Sequence, residues 1–169
     1  MLERMLTSRY ARLAPEEVDS FAEVVHVDPN EVKPLVPLQL QEEQVKAFFC
    51  EIIGRPWIQK DWGGELNDTF GEVIFRRRTV PATFAFKGKA YAHRPLRIAH
   101  LGKNGDQLVR LFSLPAEIYI LQSNGPIDGT VYHQVQAQVA QKVLAGQVVY
   151  YLVLDGLQTA RILRAYGRI

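Results

Sequence analysis

The feature that most narrows the fold is the exchange between two hydrophobic periods in the last third of the chain. Residues 116 to 121 read AEIYIL and residues 147 to 154 read QVVYYLVL, two almost unbroken apolar runs of strand length. Between them, Val131, Val135, Val139 and Val143 recur at every fourth position of residues 129 to 144, which is the spacing of a helix with one buried stripe. A further helical stretch, residues 157 to 166, comes after Asp155-Gly156. A helix lying between two buried strands predicts parallel neighbours joined by a right-handed crossover, because a tight turn cannot connect parallel strands.

Upstream, residues 66 to 89 read LNDTFGEVIFRRRTVPATFAFKGK and predict a strand pair. Val73, Ile74 and Phe75 form the first strand, residues 82 to 86 the second, and Thr79-Val80-Pro81 the turn between them. Residues 38 to 53 place Val45, Phe48, Phe49, Ile52 and Ile53 on one helical face, ending at Gly54-Arg55-Pro56. The polar stretch DWGGE, residues 61 to 65, reads as a loop. After the strand pair, a short helix opening at residues 104 to 108 runs through Leu111 and Phe112 and stops at Pro115. Residues 1 to 37 are the least regular part, an expected arm or accessory segment: residues 21 to 27 look strand-like, and Pro29, Pro34 and Pro37 break up any regular element after them. With 169 residues, 47% of them hydrophobic, the chain suffices for one core. The expected architecture is α/β, a mixed sheet with helices on both faces built from residues 38 to 169.

Charge is distributed unevenly. Residues 1 to 72 hold fourteen acids against seven Lys or Arg, whereas residues 73 to 105 hold eight Lys or Arg and no acid. Such a basic middle suits a polyanion, nucleic acid above all. The single cysteine, Cys50, falls in an apolar helical pattern and is expected to be a buried thiol. Without a secretory start or an apolar run of membrane length, the chain is expected to be soluble and cytoplasmic, with no membrane partner. No glycine-rich phosphate loop is present, His93 and His100 lack the short spacing of a structural zinc site, and the serines lack the nucleophile-elbow pattern.

The strand pair carries an acid, Asp68, and a lysine, Lys87, near its ends, where both can meet at one sheet edge as a metal ligand and a phosphate neighbour would. Together with the order of elements, these two residues resemble the restriction-endonuclease-like, PD-(D/E)XK, nuclease superfamily. The resemblance implies a metal-dependent nuclease that hydrolyses DNA phosphodiester bonds in DNA processing or defence, with Mg²⁺ or Mn²⁺ as cofactor. It assigns Asp68 to the metal and Lys87 to the attacking water. The superfamily's second acid, two positions before the lysine, is replaced by Ala85. Asp106, on the next helix, is the substitute metal ligand by order along the chain, and Glu51 or Glu65 are the alternatives. Gln122, at the end of the next strand, is a candidate for a hydrogen bond to substrate or water. Lys89, Arg94, Arg97 and Lys103 are the expected contacts to the nucleic-acid backbone. Two-strand cutting would bring a homodimer. If no acid completes the site, the resemblance implies a module of the same fold that binds nucleic acid, or scaffolds a complex, without cutting.

Overall fold

A computed structural model describes residues 11–58 and 69–169. It has a mixed four-stranded sheet in the order β1-β2-β3-β4, flanked by helices. Strand β1 (Thr69–Phe75) runs antiparallel to β2 (Arg78–Lys87), whereas β3 (Ile118–Ser123) and β4 (Tyr150–Leu154) continue the sheet in parallel with β2. Among the described residues four helices exceed a single turn and have regular α geometry: α1 (Glu42–Ile53), α2 (Gln107–Ser113), α3 (Gly129–Leu144) and α4 (Gly156–Ala165). Helices α2 and α3 make the two crossovers that the alternation of periods predicts. No helix among the described residues is long and apolar enough to cross a membrane.

Because side chains alternate along a strand, the sheet feeds two apolar layers. Phe84, Phe86, Ile118 and Ile120 face one layer, which α1 and α4 cover through Val45, Phe49, Ala160 and Ile162. Ala85, Tyr119, Leu121 and Tyr151 face the other, closed by Leu111 of α2 and by Val131 and Val135 of α3. On the first face the Phe49 ring sits 5.5 Å from Phe86, and Trp57 sits 5.2 Å from Phe84. Gly71 makes room for that indole, since a Cβ there would come within 2.9 Å of it.

Three local expectations are corrected. Residues 21 to 27 are not a strand: residues 21 to 26 belong to a 3-10 helix, Asp19–His26, and Val27 is its C-cap. Its caps Val18 and Val27 and its residues Phe21 and Val24 recur at every third position, the period at which 3-10 side chains eclipse, and all four are buried. The β1–β2 turn is not Thr79-Val80-Pro81 but Arg76-Arg77, closed by the Phe75↔Arg78 pair. Pro81 lies within β2, one residue before pairing with β3 begins at Ala82↔Ile118. Helix α1 starts at Glu42 rather than residue 38, because Gln41 and Gln44 close a capping box and the preceding residues are held extended.

The segment expected as an arm contributes Val18, Phe21, Val24 and Val32 to the layer beneath α1 and α4. Residues 11 to 13 also lie along the outer edge of β4: Tyr151 donates its N–H to the Ala11 carbonyl, and Leu13 donates to the Tyr151 carbonyl. That exposed sheet edge is thereby covered.

Candidate functional site at the carboxyl end of the sheet

Parallel strands with crossovers on one face bring their connections to the same pole. The β2–β3 connection must leave from the carboxyl end of β2, and α2 makes the descent, so residues 88 to 106 lie over that end. Helices α3 and α4 also begin there, after β3 and β4, with Asp128 and Asp155 as their caps. Helix α1 begins there too: Lys89 donates its N–H to the Leu40 carbonyl, and Gly88 packs against the Glu42 backbone. A Cβ at position 88 would collide with the Glu42 nitrogen, so glycine is required by this close approach.

Lys87 stands at the centre of this pole as the last residue of β2 and is 8% exposed. Its Nζ lies 5.5 Å from the centre of the Tyr91 ring. Glu42 is a carboxylate that feels its charge. Burial pushes the Glu42 carboxyl above the usual glutamate range, and Lys87 opposes that shift; Glu43 raises it further and Lys46 lowers it.

Gln122 is completely buried, and its groups are committed to protein partners. Its Oε1 accepts the Lys87 N–H at 3.2 Å, and its Nε2 donates to Asn124 Oδ1 at 2.9 Å and to Thr159 Oγ1 at 3.4 Å. Asn124 in turn donates through Nδ2 to the Leu38 and Leu40 carbonyls at 3.2 and 2.7 Å. Thr159 donates to the Asp155 carbonyl at 2.8 Å. The network ties the ends of β2 and β3, the first turn of α4 and the approach to α1 into one satisfied cluster. Gln122 positions the Lys87 backbone, and both its amide protons are already in use.

The remaining candidates that fall among the described residues do not gather at Lys87. Asp68 and Glu65 lie outside the described residues. Glu51 is about 13 Å along the helix axis from Glu42, at the rise of an α-helix, and it pairs with Arg168 at 2.8 Å. It therefore does not share the Lys87 end of α1. Asp106 stands at the amino end of α2, and its carboxylate pairs with Arg110 at 2.6 Å. Ala85 is fully buried in the apolar layer, paired through the sheet with Leu121, which pairs with Val153. An acid at that position would sit among hydrocarbon.

Lys89, Arg94, Arg97 and Lys103 are all exposed on the 88 to 106 connection. Arg97 helps to hold the Asp128 carboxyl below the usual aspartate range, after the larger effects of the Thr130 hydroxyl and backbone N–H. No carboxylate of the described residues forms an ion pair with Lys89, Arg94, Arg97 or Lys103. The pole is thus a basic cap over a buried lysine.

A divalent cation of the kind the resemblance implies requires two or more oxygen ligands from protein. Among the described residues no group of three or more His, Cys, Asp or Glu side chains gathers. Glu42 alone, next to the Lys87 charge, does not compose such a site. Glu42 and Asn124 are the residues that sequence reasoning missed. Glu42 falls in the first turn only once the helix starts at residue 42 rather than 38, and the 15-residue connection from Gly54 to Asp68 left the direction of that helix against β2 open. No family model, curated protein or solved structure compared with the chain matches it.

Proposed function

We propose that this protein binds nucleic acid, with DNA the expected form, through the cap at the carboxyl end of its sheet. The observation that carries the reading is the group of exposed cations Lys89, Arg94, Arg97 and Lys103 on one connection, without ion-pair partners among the described carboxylates. Ligands of α/β sheets gather outside the carboxyl ends of parallel strands. The amino ends of α1, α3 and α4 add their partial positive charge at the same pole. Such contacts to phosphates set affinity and salt dependence rather than sequence preference.

The test is fluorescence anisotropy with double- and single-stranded DNA and with RNA across a salt series. Replacing Lys89, Arg94, Arg97 and Lys103 together by Gln is expected to reduce the slope of log affinity against log salt by about three to four. Binding by the wild type that does not depend on salt, or an unchanged slope in the variant, would overturn the proposal.

A second reading, metal-dependent phosphodiester hydrolysis on a restriction-endonuclease-like core, is favoured by one observation: Lys87 and the partly desolvated Glu42 lie together beneath the cap. In that reading Lys87 faces the phosphate or orients water, Glu42 takes the place for which Asp106, Glu51 and Glu65 were the candidates, and Asp68 supplies the other carboxylate. Cleavage of supercoiled DNA with Mg²⁺ or Mn²⁺ that is lost in Lys87→Met and Asp68→Ala supports it. Equal cleavage by these variants and the wild type excludes it.

A further inference from the structure

The second basic cluster of the chain lies far from the cap. Arg76, Arg77 and Arg78 stand at the β1–β2 hairpin tip, at the amino end of β2, while Lys89 follows its carboxyl end. Ten residues of β2 separate the two poles, about 30 Å at the rise of a strand.

The tip has an unusual composition for its shape. Phe75↔Arg78 closes a two-residue loop in which Arg76 has φ 50° and Arg77 has φ 62°. Two successive left-handed residues are the mark of the hairpin turn that favours Asn-Gly, because a Cβ crowds the following carbonyl in this conformation. Here both places are filled by arginine. The conformation is held from outside the hairpin: Asp19 Oδ2 accepts the Arg77 backbone N–H at 2.8 Å, and Ser20 Oγ accepts the Ile74 N–H at 2.8 Å. A strained loop fixed by the surrounding structure is a reason to look for a role.

Two of the three guanidinium groups are occupied. Arg76 donates to Tyr150 Oη at 3.1 Å and lies over the Phe75 and Tyr150 rings, 4.8 and 5.2 Å from their centres. Arg78 pairs with Glu117 at 3.3 Å. The Arg77 side chain is exposed and meets no carboxylate of the described residues. The nearest described acid, Asp19, is engaged with the Arg77 backbone.

We infer that the hairpin tip is a second phosphate-contact point, carried by Arg77, for a duplex long enough to extend from the cap to the tip. The inference rests on the nucleic-acid reading and gives it a ligand class. The distance between the poles is close to one duplex turn, about 34 to 36 Å or ten base pairs. A shorter duplex held at the cap does not reach the tip.

The experiment measures anisotropy of duplexes of about 8 and about 24 base pairs with wild type, Arg77→Gly, Arg77→Lys and the cap variant, and records thermal melting of each protein. Arg77→Gly is expected to melt about 2 to 4 °C higher, because glycine relieves the turn. It binds the long duplex about three- to tenfold more weakly, with a salt slope lower by about one. It binds the short duplex as the wild type does, and Arg77→Lys retains binding to both. Unchanged affinity of Arg77→Gly for the long duplex, equal losses on both lengths, or a lower melting temperature would each overturn the inference. Loss of binding in the cap variant while Arg77→Gly binds normally removes the tip and leaves the cap reading standing. Wild type that binds neither duplex removes both.

Discussion

Asn124 is a fully buried amide that holds together segments far apart in the chain: its side chain accepts from Gln122 and donates to the carbonyls of Leu38 and Leu40. Replacing it with alanine leaves the buried Leu38 carbonyl and one Gln122 proton without their partners, and the Leu40 carbonyl with the Lys89 N–H alone. Asn124→Ala is expected to lose about 2 to 3 kcal/mol of stability, read as a lower urea midpoint with an unchanged slope. Loss of well under 1 kcal/mol would mean that water takes over these bonds. Gln122 was recognisable in sequence as a polar residue at the end of an apolar strand. Its partners were not, because Lys87 is 35 residues away and Thr159 is 37. The same limit applied to Glu51 and Asp106: an acid beside an apolar face is easy to see, whereas Arg168 and Arg110 as their partners depend on packing.

At the scale of elements, helix α4 shows how one amphipathic segment fastens the amino-terminal region. Arg161, only 9% exposed, donates through Nε to the Val27 carbonyl at 3.2 Å and through Nη2 to the Val24 carbonyl at 3.2 Å. It also donates to Gln158 Oε1 at 2.9 Å and pairs with Glu16 at 2.9 Å. The Val27 carbonyl lies at the end of the 3-10 helix, where backbone acceptors lack partners within the helix, whereas the Val24 carbonyl also accepts the Val27 N–H. Arg161→Ala is expected to cost about 3 to 5 kcal/mol, since it leaves Glu16 and the Val27 carbonyl without their partner. Hydrogen exchange should show faster exchange in residues 19 to 27 than in β3; uniform protection across both would count against the clamp. The elements with a long, regular period were legible. Residues 129 to 144 form α3 as the valine spacing predicts, and the two parallel strands follow from the helices between them. The short elements were not. The period of three in Val18, Phe21, Val24 and Val27 passed for a strand, and the hairpin turned at two arginines because Asp19 and Ser20 hold it there.

For the whole molecule, the amino-terminal region shares the core of the sheet. Val18, Phe21, Val24 and Val32 are each fully buried in the layer that includes Phe49, Phe84 and Phe86, and Phe21 meets Phe49 edge to face at 5.8 Å. Burying a side chain of this size contributes about 1.5 to 3 kcal/mol, so four of them exceed half of the stability of a typical domain, about 5 to 15 kcal/mol. A chain of residues 38 to 169 is expected to lack a cooperative thermal transition and to bind a hydrophobic dye, whereas the intact chain unfolds in one step. A truncated chain that melts cooperatively at the wild-type temperature would show residues 1 to 37 to be dispensable for the core.

The amino-acid sequence by itself determined the α/β class, the antiparallel pair followed by two parallel strands, and the concentration of cations between residues 73 and 105. These are consequences of local periodicity and of charge counted along the chain, which need no knowledge of distant contacts. Only the tertiary structure decided that the cations divide between two poles, that Glu42 rather than Glu51 lies by Lys87, and that Gln122 serves a buried network. Each of these depends on which strand end a helix or loop packs against, and that is settled by burial and hydrogen bonding between segments far apart in the chain.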